Sequence, residues 1–371
     1  DKMQSTAGIH FNFSFSESAL SNLGIDKTEL YLGTCRNFLR LFPMILRLMG
    51  CSPVAHKSFL KGRNINIENL NEEDCYLPKS TSLRVSRLGY YSEEQDEKFI
   101  TFNTLEDYLK TIRDYINTPN EKFSNISLDL KQQVNNGTIQ MESELYNHIR
   151  PKGIISKDIR AYNQLKENGI EYLEIRSIDL NPYSEIGISM EDIEFLELIS
   201  LYCALSDSPL ISEVESVCIK ENIRRSSETG QDCNFILSLD GDKAETSAEK
   251  LTQNFLEDLD HFAKLIGLRK NKNQMFDEFY ARNKKTLSMR FVEDVKKSGG
   301  VLPMVIERSV HTKKEIDKNN LSLFKKETEL SENEYLKEKN EDKILFEDYL
   351  ETFRGEIKWK YYIAKNMGPL I

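Results

Sequence analysis

Strict alternation of apolar and polar residues over positions 7 to 15 constrains the fold more than any other feature of the sequence. The apolar positions are Ile9, Phe11, Phe13 and Phe15, and the polar positions between them are His10, Asn12 and Ser14. Because successive side chains of a strand point to opposite faces, this pattern predicts a β-strand with one buried face and one polar face. The fold is therefore expected to contain a sheet that packs on one face only.

Further strand patterns alternate with longer helical patterns along the chain. Strands are predicted at 81 to 90, 139 to 149 and 169 to 179, and helices at 27 to 50, 104 to 117, 190 to 206, 247 to 268 and 274 to 296. Pro43 is expected to kink or break the first helix, and Thr104 to cap the second. After about residue 312 the chain is rich in Lys and Glu, with helical amphipathicity only at 344 to 353. The order of elements predicts an α+β fold with a largely antiparallel sheet.

Charge and cysteine content exclude several classes of protein. The chain has 371 residues and a formal net charge of −10, without a Lys/Arg cluster that could follow a phosphate backbone, which argues against a nucleic-acid partner. Apolar runs are too short to span a bilayer, so we expect no membrane partner and a cytoplasmic location. The six cysteines show no metal-ligand spacing and are expected to be free thiols. Since Asp1 to Gln4 do not read as a natural start, we also expect the chain to be incomplete.

Glu174 and Arg176 are the first candidates for chemistry. On a strand they project to the same face, where a carboxylate and a guanidinium can bind a metal ion and a phosphoryl oxygen side by side. The alternative is a salt bridge on a solvated sheet. His10, on the polar face of the first strand, could add an imidazole to such a divalent-metal site, or be a structural histidine. Whether the two strands are neighbours cannot be read from the sequence.

Five more polar residues could form a small pocket on the same sheet. They are Gln4, Arg84, Tyr90, Tyr146 and Arg150. Two tyrosines and an arginine from different strands could bind a carboxylate and shape a pocket for an amino acid, although each could equally be a half-buried sheet residue. The sequence has no glycine-rich phosphate loop, no GxSxG and no HExxH, so kinases, dehydrogenases, serine hydrolases and zincins are not favoured.

Four segments together resemble one known family. They are MQSTAGIHFNFS, TSLRVSRLGY, ELYNHIRPKG and GIEYLEIRSIDLNPYSEIG, in this order along the chain. The segments closely resemble glutamate-cysteine ligase of the proteobacterial type. The likeness covers about the first 300 residues, which are expected to be the larger, C-terminal part of a ligase catalytic domain (1–300), with a charged, mainly helical extension at 301–371.

The resemblance implies a fold, a reaction and a set of roles. The fold is a curved antiparallel sheet of the glutamine-synthetase type with helices packed outside. The reaction is ATP-dependent ligation of L-glutamate, through its γ-carboxylate, to L-cysteine via γ-glutamyl phosphate, with Mg²⁺, or Mn²⁺ as the alternative, bridging the phosphates. The implied roles are metal binding for His10 and Glu174, stabilisation of the transferring phosphoryl group for Arg176, the cysteine pocket for Gln4, Arg84, Tyr90 and Tyr146, and the ATP phosphates for Arg150.

The sequence departs from the family at its start. A sizeable N-terminal part that supplies acidic metal ligands and much of the glutamate site has no counterpart here. We therefore expect this polypeptide alone to be inactive unless another chain or segment supplies those ligands. Two alternatives remain open: a related carboxylate-amine ligase with another amine acceptor, and a non-catalytic fragment or partner that binds ligand without turnover.

Overall fold

A computed structural model describes residues 6–61, 66–96, 99–126, 133–154, 159–239, 242–268, 274–318 and 322–341. The strands are β1 (Ile9–Phe13), β2 (Val54–His56), β3 (Glu68–Asn69), β4 (Asp74–Tyr76), β5 (Ile149–Lys152), β6 (Tyr172–Ile178), β7 (Asn234–Leu239) and β8 (Asp242–Ser247). The helices are α1 (Glu17–Leu23), α2 (Lys27–Met49), α3 (Glu93–Asp96), α4 (Leu105–Asn117), α5 (Glu121–Ser124), α6 (Ala161–Asn168), α7 (Met190–Leu205), α8 (Glu213–Thr229), α9 (Ala248–Leu265), α10 (Gln274–Lys284), α11 (Leu287–Lys297), α12 (Val301–Lys318) and α13 (Ser322–Glu341).

The described strands form three small antiparallel sheets, with the strand orders β1-β6-β5, β2-β4-β3 and β7-β8. Helices combined with antiparallel strands confirm the α+β expectation. Within the described ranges no sheet has more than three strands, and the curved sheet of the glutamine-synthetase type stays a prediction.

The β1-β6-β5 sheet brings the candidate site residues into one register. Glu174 in β6 is opposite Asn12 of β1 on one side and Arg150 of β5 on the other. The β1–β6 register shifts between Ile9 and Phe11, so His10 lies at an irregularity of the kind that re-aims a side chain. This sheet therefore carries the polar residues in which the sequence predicted chemistry.

Helix α2 forms the core behind this sheet. It packs against β5, β6, α7 and α8, and most of its side chains are buried. On the sheet side the buried partners include Ile149, Leu173 and Ile175, which have 0% exposure. Pro43 lies inside α2 without ending it, so it does not break the helix, and the alternative of a kink at this proline stays a prediction. The apolar face of the sheet is thus fixed against a rigid helix, and the opposite face is left for polar groups.

Two of the four predicted strands are wrong. Residues 81 to 90 form successive turns, in which Tyr90 N donates to Arg84 O at 2.6 Å and Ser86 Oγ donates to Leu83 O at 2.8 Å. Gly89 approaches the backbone of Arg84 so closely that a Cβ would overlap it. Hydrogen bonds from serine hydroxyls and the close approach of a glycine favour turns rather than strand pairing in this segment. The alternating apolar residues are nevertheless buried, as they would be in a strand.

The predicted strand at 139 to 149 is replaced by loop and a 3₁₀ turn at Glu142–Glu144, and the strand begins only at Ile149. The predicted helices at 27 to 50, 104 to 117, 190 to 206 and 247 to 268 match α2, α4, α7 and α9 within a few residues. The one predicted at 274 to 296 is two helices, because the hydroxyl of Thr286 accepts from Met289 N and starts α11 anew.

The chain divides into two compact units. Residues 1–113 and 145–309 form the unit that holds the β1-β6-β5 sheet and α2, and residues 114–144 and 310–371 form the other, whose described helices include α5 and α13. The domain boundary predicted after residue 300 stays a prediction. The amphipathic stretch predicted at 344 to 353 lies outside the described residues. None of the described helices has the length and apolar character needed to cross a bilayer.

Candidate active site

Glu174 is the centre of the polar face of the β1-β6-β5 sheet. Its Oε1 lies 3.5 Å from Nδ1 of His10, and its Oε2 lies 3.0 Å from Nη1 of Arg176 and 3.4 Å from Nζ of Lys152. The predicted same-face placement of Glu174 and Arg176 is confirmed, and so is the assumed proximity of His10. The Glu174 side chain is largely buried, while that of His10 is 43% exposed.

The protonation states of this group suit a cation site. Burial opposes ionisation of Glu174, but Lys152 and Arg176 outweigh it and hold the pKa of this carboxyl below its ordinary value. Partial burial, followed by the charge of Arg176, lowers the pKa of His10. A neutral imidazole beside an ionised carboxylate is the state in which both groups can coordinate a metal.

Three buried or half-buried guanidinium groups converge next to Glu174. Arg84 Nη2 donates to the carbonyl of Arg176 at 2.9 Å, and Arg150 Nη2 donates to the hydroxyl of Tyr90 at 3.1 Å and to the carbonyl of Leu145. Burial lowers the pKa of both Arg84 and Arg150. The guanidinium of Arg84 also lies directly against the backbone of Gly8, just before β1.

Several of these guanidinium donors have no acceptor among the described residues. Nε and Nη1 of Arg84 and Nε of Arg176 are buried and donate to no acceptor among the described residues. A buried donor without an acceptor is costly, and for a charged group the cost is larger. Open guanidinium donors match the geometry of a carboxylate or a phosphate. The cluster can therefore bind an anionic ligand.

A pair of tyrosines closes the cluster on one side. The ring centroids of Tyr90 and Tyr146 are 4.2 Å apart, and the Cζ atoms of Arg84 and Arg176 each lie 5.9 Å from the Tyr90 ring centroid. The rings thus contact each other while the Tyr90 face stays within cation–π range of both arginines. The two tyrosines also line a cavity of about 420 Å³, whose other walls include Leu39, Val85, Asn147 and Ile223.

The comparison with protein families decides what this site belongs to. The family model for glutamate-cysteine ligase matches residues 1–226. The chain belongs to the glutamate-cysteine ligase family. This membership confirms the ligase that the sequence predicted, and it covers the strands and turns that carry the site residues.

Curated glutamate-cysteine ligases match over nearly the whole chain. The ligase of Aliivibrio fischeri is 30% identical over an alignment of 390 positions, which covers 96% of this chain and 73% of the relative. The ligase of Aliivibrio salmonicida is 32% identical over 319 residues, covering 81% of this chain and 61% of the relative. That of Leptospira interrogans is 31% identical, covering 98% and 71%. The chain thus spans between three fifths and three quarters of these ligases.

Solved structures show the same fold. The crystal structure of glutamate-cysteine ligase from Francisella tularensis in complex with AMP superposes with a TM-score of 0.84 at 23% identity, covering 97% of this chain and 74% of that one. A bifunctional glutathione synthetase from Pasteurella multocida superposes with a TM-score of 0.63 at 21% identity, covering 85% and 37%. Both likenesses are structural, and they agree with the glutamate-cysteine ligase family.

The structure brings seven of the eight predicted ligase residues together. These are His10, Arg84, Tyr90, Tyr146, Arg150, Glu174 and Arg176, whereas Gln4 lies outside the described residues. Two residues were missed. Lys152 lies two positions after Arg150 in β5, so strand alternation could have placed it beside Glu174. Asp179 follows β6 directly and accepts hydrogen bonds from Ser52 Oγ and Ser82 Oγ. Both partners are distant in sequence, so no local pattern reveals these bonds.

Proposed function

We propose that this chain carries the metal, phosphoryl-transfer and cysteine-binding side of a glutamate-cysteine ligase active site. The single observation behind the proposal is the set of buried, open guanidinium donors of Arg84 and Arg176 beside the His10–Glu174 pair on one sheet face. The guanidinium donors suit an anionic ligand, and the His10–Glu174 pair suits a divalent cation. Binding both at once is what ATP-dependent activation of a carboxylate requires.

The reaction has two steps. The γ-carboxylate oxygen of glutamate attacks the γ-phosphorus of ATP, forming γ-glutamyl phosphate and releasing ADP. The amine of cysteine then attacks the acyl carbon, the C–O bond to phosphate breaks, and inorganic phosphate leaves as the amide forms, with the proton from the amine nitrogen passing to the phosphate or to solvent. Arg176 stabilises negative charge on the transferring phosphoryl oxygens, because its guanidinium is held on the strand next to Glu174.

His10 and Glu174 would hold a Mg²⁺ or Mn²⁺ ion through Nδ1 and Oε1, the two atoms that face each other. Such an ion would neutralise negative charge on the phosphates during phosphoryl transfer. Mg²⁺ takes six ligands, more than these two side chains supply. No group of three or more His, Cys, Asp or Glu side chains arranged for metal binding occurs among the described residues. Waters, substrate phosphates and further residues would complete the set of metal ligands. The inactivity of this polypeptide alone stays a prediction.

Arg84, Tyr90 and Tyr146 would bind cysteine. The open Nε and Nη1 of Arg84 are suited to the cysteine carboxylate, and the two rings shape the space around its side chain. Arg150 stays proposed for the ATP phosphates. Its bond to the Tyr90 hydroxyl supports an additional role in orienting that ring. Gln4 stays proposed for the same pocket from the sequence.

Cysteine affinity tests this assignment. In the protein expressed from its complete gene, Arg84→Gln should raise the KM for cysteine at least about tenfold, since a charge-assisted bond to the carboxylate is lost. The matched control is Arg87→Gln, which removes an exposed arginine of the same segment that pairs with Glu228. Steady-state kinetics with cysteine varied would refute the assignment if both variants kept the wild-type KM.

A ligase for another amine is the second candidate, favoured by the cavity of about 420 Å³ beside the tyrosine pair, which is larger than a cysteine side chain needs. Profiling of cysteine, 2-aminobutyrate and ammonia as acceptors separates the two. Cysteine should give the highest kcat/KM. A preference for ammonia would replace the cysteine assignment.

The six cysteines support a cytoplasmic location. All are free thiols, and five of them are buried. Unpaired thiols are typical of a reducing compartment, where ATP is also available.

A further inference from the structure

The segment from Thr81 to Tyr90 holds two of the proposed cysteine-pocket residues without belonging to a sheet. A single bridge, between Ser82 and Ser52, is its only strand-like contact among the described residues. Backbone bonds from Thr81 and Ser82 to Ser227 and from Leu83 to Ser52 hold the start of the segment, and side-chain bonds made by Ser82 connect this start to Arg84. The strand register of the β1-β6-β5 sheet, which positions Glu174 and Arg176, does not determine the position of Arg84.

The carboxylate of Asp179 is the acceptor for these bonds. Its Oδ1 accepts from Ser82 Oγ at 3.0 Å, and its Oδ2 accepts from Ser52 Oγ at 2.7 Å and from Cys51 N at 3.1 Å. Ser82 Oγ in turn accepts from Val85 N at 3.1 Å, across the position of Arg84. The Asp179 side chain is 4% exposed, so water cannot replace these partners easily.

Asp179 also belongs to the strand that carries the chemistry. It follows β6 immediately, three residues after Arg176. The guanidinium of Arg84 returns to the same strand through its bond to the Arg176 carbonyl. A closed path thus runs from Asp179 through Ser82 and Val85 to Arg84 and back to β6.

We propose that Asp179 is a positioning residue that sets the distance between the cysteine-binding Arg84 and the phosphoryl-transfer strand β6. Its charge has a second effect, because a buried carboxylate close to Arg84 offsets part of the cost of burying that guanidinium while leaving Nε and Nη1 open for substrate. Asp179 touches neither substrate nor metal in this account, and acts through Ser82 and Arg84. The inference rests on the proposed cysteine-binding role of Arg84.

The test separates positioning from stability. Asp179→Asn keeps the shape of the side chain, but its NH₂ cannot accept from Ser82 Oγ. In the protein expressed from its complete gene, this variant should raise the KM for cysteine at least about tenfold, while the KM values for ATP and glutamate stay within about twofold. Ser82→Ala should act in the same direction. The double variant should raise the KM by much less than the product of the two single effects, because both changes break one path.

Asp74→Asn is the matched control. Asp74 is also buried, with 1% exposure, and accepts from Asn71 Nδ2 and Val301 N in a different part of the fold. The Asp74→Asn replacement should lower the Tm without changing the KM for cysteine. If Asp179→Asn does not fold, Ser82→Ala carries the same measurement. A cysteine KM within about twofold of wild type in the variants that fold, or an equal rise for all three substrates, overturns the inference.

Failure of the underlying function gives a different result. If Arg84→Gln also leaves the cysteine KM unchanged, the role of Arg84 is wrong and the inference falls with it. If Arg84→Gln raises the KM and neither Asp179→Asn nor Ser82→Ala does, only the positioning role of Asp179 is wrong.

Discussion

Single residues in this site take their properties from buried neighbours. Glu174 stays ionised although it is largely buried, because Lys152 and Arg176 offset the desolvation of its carboxylate. His148, two residues before Arg150, shows the opposite case. It stacks on Phe42 with ring centroids 4.3 Å apart, and no carboxylate in the described part of the chain pairs with it, so burial lowers its pKa and keeps it neutral.

His148 gives a prediction for stability against pH. Burial, helped by the charge of Arg84, lowers the pKa of His148 from 6.5 to about 3. Above pH 6.5 both the folded and unfolded states are neutral at this residue, so its full contribution is present. As the pH falls from 6.5 towards 3, the unfolded state binds a proton that the folded state does not, and stability is lost at up to about 1.4 kcal/mol per pH unit.

Urea unfolding at pH 7, 6 and 5 measures this slope. His148→Gln should be less stable than wild type at pH 7, because the stacking on Phe42 is lost, but its free energy of unfolding should fall less steeply with acid. Parallel curves for the two proteins would show that His148 does not titrate in this way.

Elements differ in how far the sequence could predict them. The strands β1 and β6 follow from alternation alone, and their pairing then places His10, Glu174 and Arg176 together. The segment at 81 to 90 has the same alternation but forms turns, because it makes hydrogen bonds with Ser52, Ser227 and Asp179. These partners are distant in sequence, so a pattern of neighbouring residues does not reveal them. The side chains of the site were thus identifiable by type and order, whereas the placement of Arg84 and Tyr90 depends on contacts distant in sequence.

The junction of α7 and α10 allows a prediction at this scale. Asp192 in the first turn of α7 completes a capping box with Ser189, and its Oδ1 lies 2.5 Å from Nη1 of Arg282 in α10. Both side chains are nearly inaccessible, at 2% and 5% exposure. Asp192→Asn removes the buried partner of the Arg282 guanidinium and leaves the more exposed Glu278, whose Oε1 lies 2.9 Å from Arg282 Nε, as its counter-charge. The loss of a buried charge-assisted hydrogen bond should cost about 1.5–3 kcal/mol.

Equilibrium unfolding with Asp277→Asn as control checks this value. Asp277 is exposed on the same helix α10, so its replacement should change stability by less than about 0.5 kcal/mol. Equal stabilities for the two variants would mean that the buried ion pair contributes little to the junction of α7 and α10.

At the scale of the whole molecule, one sheet face carries most of the proposed site. The apolar face of β1-β6-β5 is fixed against α2, and the polar face presents a carboxylate, an imidazole and two guanidinium groups, beside which the neighbouring turns place the guanidinium of Arg84. The match to glutamate-cysteine ligases covers this sheet, while the chain spans 73% of one such relative and 61% of another. We therefore propose that Glu174 on this face serves the ligase reaction, whatever further residues complete the site.

Replacement of Glu174 tests that claim most directly. Glu174→Gln keeps an oxygen but removes the charge. Glu171→Gln is its matched control, because Glu171 lies immediately before the same strand and is a half-exposed carboxylate that pairs with Lys27. Cysteine-dependent ADP release should be measured in the protein expressed from its complete gene, with circular dichroism to verify the fold. We expect Glu174→Gln to lose at least about a hundredfold in kcat, and Glu171→Gln to keep nearly all activity. Wild-type turnover by a folded Glu174→Gln variant would contradict the account.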